Sequence, residues 1–260
     1  MKSLNGDKVV PIISEQTVFC PNHGNYQSRN VIGKTWTTCT RCQKEESDAL
    51  EAVAEQKRRQ DKQNELQRRI GEACIPVRFR DRTFEVFNAN SDSLRFALDF
   101  ALEYANNFDD VLCTGRSAIF HGNPGTGKTH LSVAIGLYIM SHDQRTVLFS
   151  TALRMIRRVK DCWKRDSVDS ESKIISLFAS PDLLIVDEVG VQFGSEAERI
   201  IMFDILNERY EKRRPTIFLS NLDREGLVEF MGERVIDRLR EDGGMFIAFD
   251  GESYRPNLAP

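Results

Sequence analysis

Short apolar runs alternate with longer amphipathic stretches through the second half of the chain. The runs at 117–121 (SAIFH), 145–150 (RTVLFS), 182–188 (DLLIVDE), 215–221 (PTIFLSN) and 245–250 (MFIAFD) have strand length. Between them, residues 128–141, 152–165, 196–213 and 233–241 read as helices. Strands separated by helices of this length predict an α/β domain around a mostly parallel sheet.

The first half is patterned differently. Residues 44–72 have no proline, and Gly71 stands only at the end, so they predict a charged helix. Its apolar residues (Leu50, Val53, Ala54, Leu66, Ile70) are too sparse for a heptad seam. Two readings fit: a solvated connecting helix, or a helix that docks a partner. Pro76 then interrupts, and RFRDRTFEVF leads into a helix near 91–107. No repeat or long low-complexity tract is present. The chain therefore divides into residues 1–43, a helical segment 44–74, and an α/β domain 75–260.

Composition narrows the class. Hydrophobic residues make up 40% and charged residues 29%, as in a water-soluble globular protein. The net charge of −3 makes no global field for nucleic acid, so any basic surface must be local. No apolar run reaches membrane-spanning length, and the N-terminus carries no signal-peptide core. Of six cysteines, three cluster early and Cys74, Cys113 and Cys162 are scattered, which reads as a reducing cytoplasm.

The early cluster has metal-ligand spacing. Cys20-x2-His23-x15-Cys39-x2-Cys42 resembles two metal-binding knuckles, and thiolate with imidazole suits tetrahedral zinc. Gly24 and Gly33 allow the tight turns of a ribbon. The site would be structural, holding a module too small for a core of its own.

Between a predicted strand and a predicted helix lies GNPGTGKT, residues 122–129. Gly122, Asn123, Pro124, Gly125, Thr126 and Gly127 form a loop whose amides can turn inward around phosphate oxygens. Lys128 supplies charge for the β- and γ-phosphates of ATP, and the Thr129 hydroxyl can ligate Mg2+. The run LLIVDE ends in Asp187, placed to hold Mg2+ from its outer shell, and Glu188, placed to polarise a water. Asn221, at the tip of another strand, can orient that water. Arg234 and Arg238, four apart on one helix face, can reach a γ-phosphate in a neighbouring subunit. The helix at 152–165 carries an apolar stripe (Leu153, Ile156, Val159, Trp163) among six basic residues. That pattern suits single-stranded DNA, and it equally suits a core-packed Trp163 beneath a solvated basic face.

The ordered set IPVRFRDRTFEVF, GNPGTGKTHLSVAIG, LLIVDEVG, LSN, MGERVIDRLREDGG and ESYRPN resembles the DnaC-type replicative helicase loaders, AAA+ ATPases related to the IstB transposition ATPases. The resemblance runs from about residue 75 to the end. It implies a P-loop AAA+ core with a five-stranded parallel sheet in order 5-1-4-3-2, preceded by the small zinc module and a helix. It makes Lys128 and Thr129 the Walker A pair, Asp187 and Glu188 the Walker B pair, and Asn221 the sensor-1 residue. Arg238 falls at the finger position, with Arg234 second. Arg255 resembles the sensor-2 arginine, here acting from a short tail, because the family's helical lid is not represented.

The resemblance also implies partners: a hexameric DnaB-type helicase, single-stranded DNA at the basic helix, and further copies of the chain through AAA+ interfaces. Some loaders grip the helicase with a zinc module. DnaC itself has a helical N-terminal region, so this chain departs from it there. The reading is therefore a cytoplasmic ATPase with slow, switch-type turnover that loads a replicative helicase within a primosome. The alternative is an IstB-like ATPase that delivers a transposase to duplex DNA. A small-molecule kinase would need a second substrate motif, and none is evident. In a plain adaptor, nucleotide would serve only the fold.

Overall fold

The computed structural model describes residues 12–31, 35–191 and 195–254. Gly33 and Arg255 lie outside them. The chain forms two compact units, Met1–Glu65 and Leu66–Pro260.

In the first unit, β1 (Ile12–Cys20) and β2 (Gly24–Val31) form an antiparallel hairpin in which Cys20 faces Gly24. A two-residue strand, β3 (Thr35–Trp36), extends it. Helix α1 (Thr40–Glu72) follows. It starts four residues before the predicted helix, so Cys42 lies in its first turn. Its surface is polar almost all round, with only Ile70 buried, and is supported by i,i+4 pairs such as Glu55 with Arg59.

In the second unit, a short 3-10 turn (Val77–Phe79) leads to α2 (Asp92–Asn106), capped by Ser91 Oγ accepting from Leu94 N at 3.2 Å. Helix α3 (Phe108–Thr114) ends at Gly115 in the left-handed region. Then come β4 (Ala118–Gly122), α4 (Lys128–His142), β5 (Val147–Thr151), α5 (Ala152–Asp161), α6 (Glu171–Ala179) and β6 (Leu183–Val189). The chain continues through α7 (Glu196–Glu211), β7 (Thr216–Ser220), α8 (Arg224–Met231), α9 (Glu233–Glu241) and β8 (Met245–Phe249). Three short helices, α3, α6 and α8, were not marked by the sequence pattern; α9, as short as α6, was, because its polar and apolar residues segregate far more sharply.

The five strands β4 to β8 form one parallel sheet in the order β5-β6-β7-β4-β8. Counted within the sheet and read from β8, this is the expected 5-1-4-3-2. Each central strand is apolar on both faces, because both are covered. Phe120, Ile185 and Leu219 face a core with α2, α3 and α4. Ile119, Val186 and Phe218 face a second core with α5 to α9. The phosphate loop leaves β4 at the carboxyl end of the sheet, between β7 and β8, where strand order reverses and open α/β sheets bind ligands.

One buried cation ties the opposite end together. Arg209 is 1% exposed and donates to the carbonyls of Phe178, Ala179, Pro181 and Pro215 and to Thr216 Oγ1, at 2.6–3.3 Å. Burial pushes its guanidinium down to about 9. The charge is tolerated because its donors are met by carbonyls, which link the end of α6 to the starts of β6 and β7. Arg209→Met is expected to cost about 3 kcal/mol or more by stranding those acceptors. Urea unfolding followed by circular dichroism measures it, and Arg209→Lys should recover only part of the loss.

Candidate nucleotide site and metal centre

The loop between β4 and α4 is built as a phosphate cradle. Gly122, Gly125 and Gly127 have φ of +123°, +84° and +104°. Gly127 must also lack a side chain, since a Cβ there would lie 2.5 Å from the Phe87 ring. Thr126 Oγ1 donates to Asn123 O at 2.8 Å, closing the turn. Lys128 is buried, and its ammonium donates to Gly122 O and Asn123 O at 2.8 and 2.7 Å. Its charge also favours the ionised form of Asp187.

Thr129 Oγ1 donates to Asp187 Oδ2 at 3.1 Å, so the first turn of α4 meets the end of β6. Burial raises the Asp187 carboxyl, opposed by hydrogen bonds from Glu188 N and Thr129. A cation beside the phosphates would relieve that desolvation, so a hydroxyl and a carboxylate in contact fit magnesium.

The pairing of β6 with β7 slips between Val186 and Val189, so β6 gains one residue at Asp187 and Glu188. Glu188 takes a positive φ of +59° there and is exposed. A left-handed glutamate is uncommon, and it sits where the bulge interrupts the ladder, so Glu188 leaves the regular alternation that Asp187 still follows. Ser220 is consumed structurally: its hydroxyl donates to Val189 O at 2.6 Å. Asn221 follows β7 and is exposed at the strand tip.

Arg234 and Arg238 lie apart from this cluster, on α9 against α7. The Arg238 guanidinium sits 5.4 Å from the Phe203 ring centre and 5.1 Å from that of Tyr210, and bonds Asn207 Oδ1. Arg234 sits 5.8 Å from Phe203.

The basic helix departs from expectation. α5 ends at Asp161, and Cys162 N and Trp163 N bond carbonyls three residues back, tightening the chain. Trp163 therefore leaves the apolar stripe, which is Met155, Ile156 and Val159. It is 53% exposed, with its indole N–H on Glu171 Oε2 at 2.8 Å. Of the two readings, the core-packed Trp163 is excluded. Arg158 and Lys160 pair with Asp169 and Glu198, while Arg154 and Arg157 are exposed.

In the first unit the donor atoms of Cys20, His23, Cys39 and Cys42 lie within 4.8 Å of one another. The three sulfurs stand 3.8, 3.7 and 3.3 Å from His23 Nδ1, and Cys20 Sγ is 3.5 Å from Cys42 Sγ. Metal–sulfur bonds of about 2.3 Å give tetrahedral edges of about 3.8 Å, so the cluster fits one tetrahedral ion. The Asn22 N–H lowers the Cys20 thiol to about 6, while the Cys20 sulfur pushes Cys42 up to about 11. Bound to a divalent cation, thiolates no longer compete in this way. His23 Nε2 meets Glu45 Oε1 at 2.8 Å, which fixes Nδ1 as the ligand atom and raises the imidazole. Spacing alone did not reveal Glu45. Its only signal is an acid on the helix that carries Cys42.

The model of the family described as IstB-like ATP binding protein matches residues 37–258. The chain belongs to this family. The replicative helicase loader DnaC of Buchnera aphidicola subsp. Schizaphis graminum is 35% identical over 197 residues, 76% of this chain and 78% of that protein. DnaC of Escherichia coli strain K12 is 32% identical over 216 residues, 83% of this chain and 85% of that one. Among solved structures, the DnaC helicase loader superposes with a TM-score of 0.60 at 23% identity, covering 67% of this chain and 100% of that one. AMPPCP-bound DnaA from Aquifex aeolicus gives 0.54 at 24%, covering 67% and 52%. The second unit of this IstB-like protein is thus a P-loop AAA+ core, and no helix among the described residues is long and apolar enough to cross a membrane. Glu45→Ala is expected to weaken metal retention about tenfold or more. Competition with a chromophoric chelator measures it, and unchanged retention would show that Glu45 does not orient His23.

Proposed function

We propose that this IstB-like protein is an ATP-dependent loader that binds a hexameric DnaB-type replicative helicase and helps place it on single-stranded DNA. The observation that carries the reading is the 32–35% identity, over about four-fifths of both chains, to proteins named as replicative helicase loaders. The assembled contact of Thr129 with Asp187 beside the phosphate loop supports it.

In this reading the loop amides and Lys128 bind the phosphates, and Thr129 and Asp187 hold magnesium, which neutralises phosphate oxygens when bound. Glu188 polarises the attacking water and Asn221 orients it. Arg238 leaves Phe203 and Tyr210 to reach the γ-phosphate of a neighbouring copy, with Arg234 as its alternative, and Arg255 contacts nucleotide from the tail. Turnover is slow because ATP serves as a switch. Cys20, His23, Cys39 and Cys42 hold zinc, and the unit they staple grips the helicase in the reducing cytoplasm. Arg157 and the exposed face of Trp163 meet DNA.

The deciding experiment is capture of a DnaB-type hexamer by the full chain with ATP and with ADP, followed by loading on circular single strands. Nucleotide-dependent capture and loading are expected. Indifference to the helicase together with assembly on duplex DNA would favour the transposase role instead. Glu188→Gln should keep ATP binding and lower hydrolysis about 100-fold or more, as loss of a catalytic base does. Charge reversal of Arg157 and Arg158 to Glu should weaken single-strand binding and flatten its salt dependence by about 0.7 of a unit of slope for each phosphate no longer neutralised. Titration across salt concentrations measures this, with ATP affinity retained; an unchanged slope removes the helix from the DNA path.

A further inference from the structure

Beyond β8 the chain turns back over the phosphate loop. Asn123 Nδ2 donates to Gly251 O at 3.1 Å, and Tyr254 N donates to Gly125 O at 3.0 Å. Ser93 Oγ, in the first turn of α2, donates to Asp250 O at 3.1 Å. The approach is close: a Cβ on Gly125 would stand 2.1 Å from Ser253 Oγ and 2.9 Å from its Cβ. Residues 250–254 are thus bonded at both ends to the outside of the loop and anchored to α2.

These bonds have a consequence for the loop's donors. In a trans peptide the carbonyl and the following N–H point in opposite directions. Holding Gly125 O toward residue 254 therefore turns Thr126 N–H to the side away from the tail. A glycine-rich loop has little of its own to choose that orientation, because Gly125 is free to rotate. Asn123 fixes the neighbouring turn from the same side.

We propose that residues 250–254 are a strap that sets the phosphate loop for nucleotide, with Asn123, Ser93 and the Tyr254 amide as positioning groups. Docking of the strap and binding of the triphosphate then favour each other by the same factor. The inference rests on reading residues 122–129 as the phosphate loop, and it goes further in assigning the tail to loop geometry. Glycine at 125 then serves two needs, its positive φ and the approach of Ser253.

The test uses full-length variants. Tyr254→Pro removes the amide donor, and Tyr254→Ala, which keeps it, is the reference. Affinity for a non-hydrolysable ATP analogue is measured by calorimetry, and hydrogen exchange of residues 250–254 is followed with and without it. Nucleotide should slow exchange in the unaltered chain. Tyr254→Pro should bind about three- to tenfold more weakly than Tyr254→Ala, the worth of one or two hydrogen bonds, with its strap no longer protected by nucleotide. Should Tyr254→Pro not fold, Ser93→Ala and Asn123→Ala carry the same two readouts from the other side of the strap. Equal affinities and strap exchange indifferent to nucleotide would overturn the strap. Lys128→Ala separates the two ideas: tight analogue binding by that variant sinks the phosphate-loop reading itself, whereas its loss beside unaffected strap variants sinks only the strap.

Discussion

The hydrogen bond from Thr129 to Asp187 joins the two halves of the candidate nucleotide site, and most of the second unit can be understood as the scaffold that makes it possible. The hydroxyl opens α4, and the carboxylate ends β6, two positions from β4 in the sheet. They meet because β7 lies between β4 and β6 and because Gly127 lets α4 start beside the strand ends. Asp187 keeps the parity of Ile185, whose side of the sheet α4 covers, and at the bulge Glu188 turns to a positive φ and stays exposed.

The far end of the sheet solves a different problem. Parallel strands begin where helices end, and those helix ends leave carbonyls without partners. Arg209 collects several of them around one guanidinium. Its burial would be costly with fewer acceptors, and loss of solvation holds its guanidinium below the usual range.

The first unit follows another logic. A three-stranded ribbon has too little apolar surface to order itself, and its most buried side chains are Cys20, Ser28 and Cys39. Its Cys and His donors converge on one point, with Glu45 on the other nitrogen of the imidazole, and an ion held there would supply the order that so small a core cannot. Exposed Phe19 and Trp36 then remain at the surface, where a small apolar core would otherwise have used them.

The sequence by itself determined the elements whose signal is local. Apolar runs and helical spacing marked the sheet strands, the glycine-lysine loop marked a candidate phosphate site, and cysteine spacing marked a candidate metal cluster. Each is written within a few residues, in periods or chemistries that need no partner to be recognised. Short helices such as α6 escaped because their polar and apolar residues segregate weakly, unlike those of the equally short α9. Tertiary structure alone decided the rest: the bulge at Asp187, the exit of Trp163 from its helix, the burial of Arg209, the seat of Arg238 between two rings, and the tail across Asn123 and Gly125. Most of these are set by groups far apart in the chain, and Trp163 by a tightened turn that the helical spacing does not announce; no pattern along the chain records which residues will come to share a hydrogen bond.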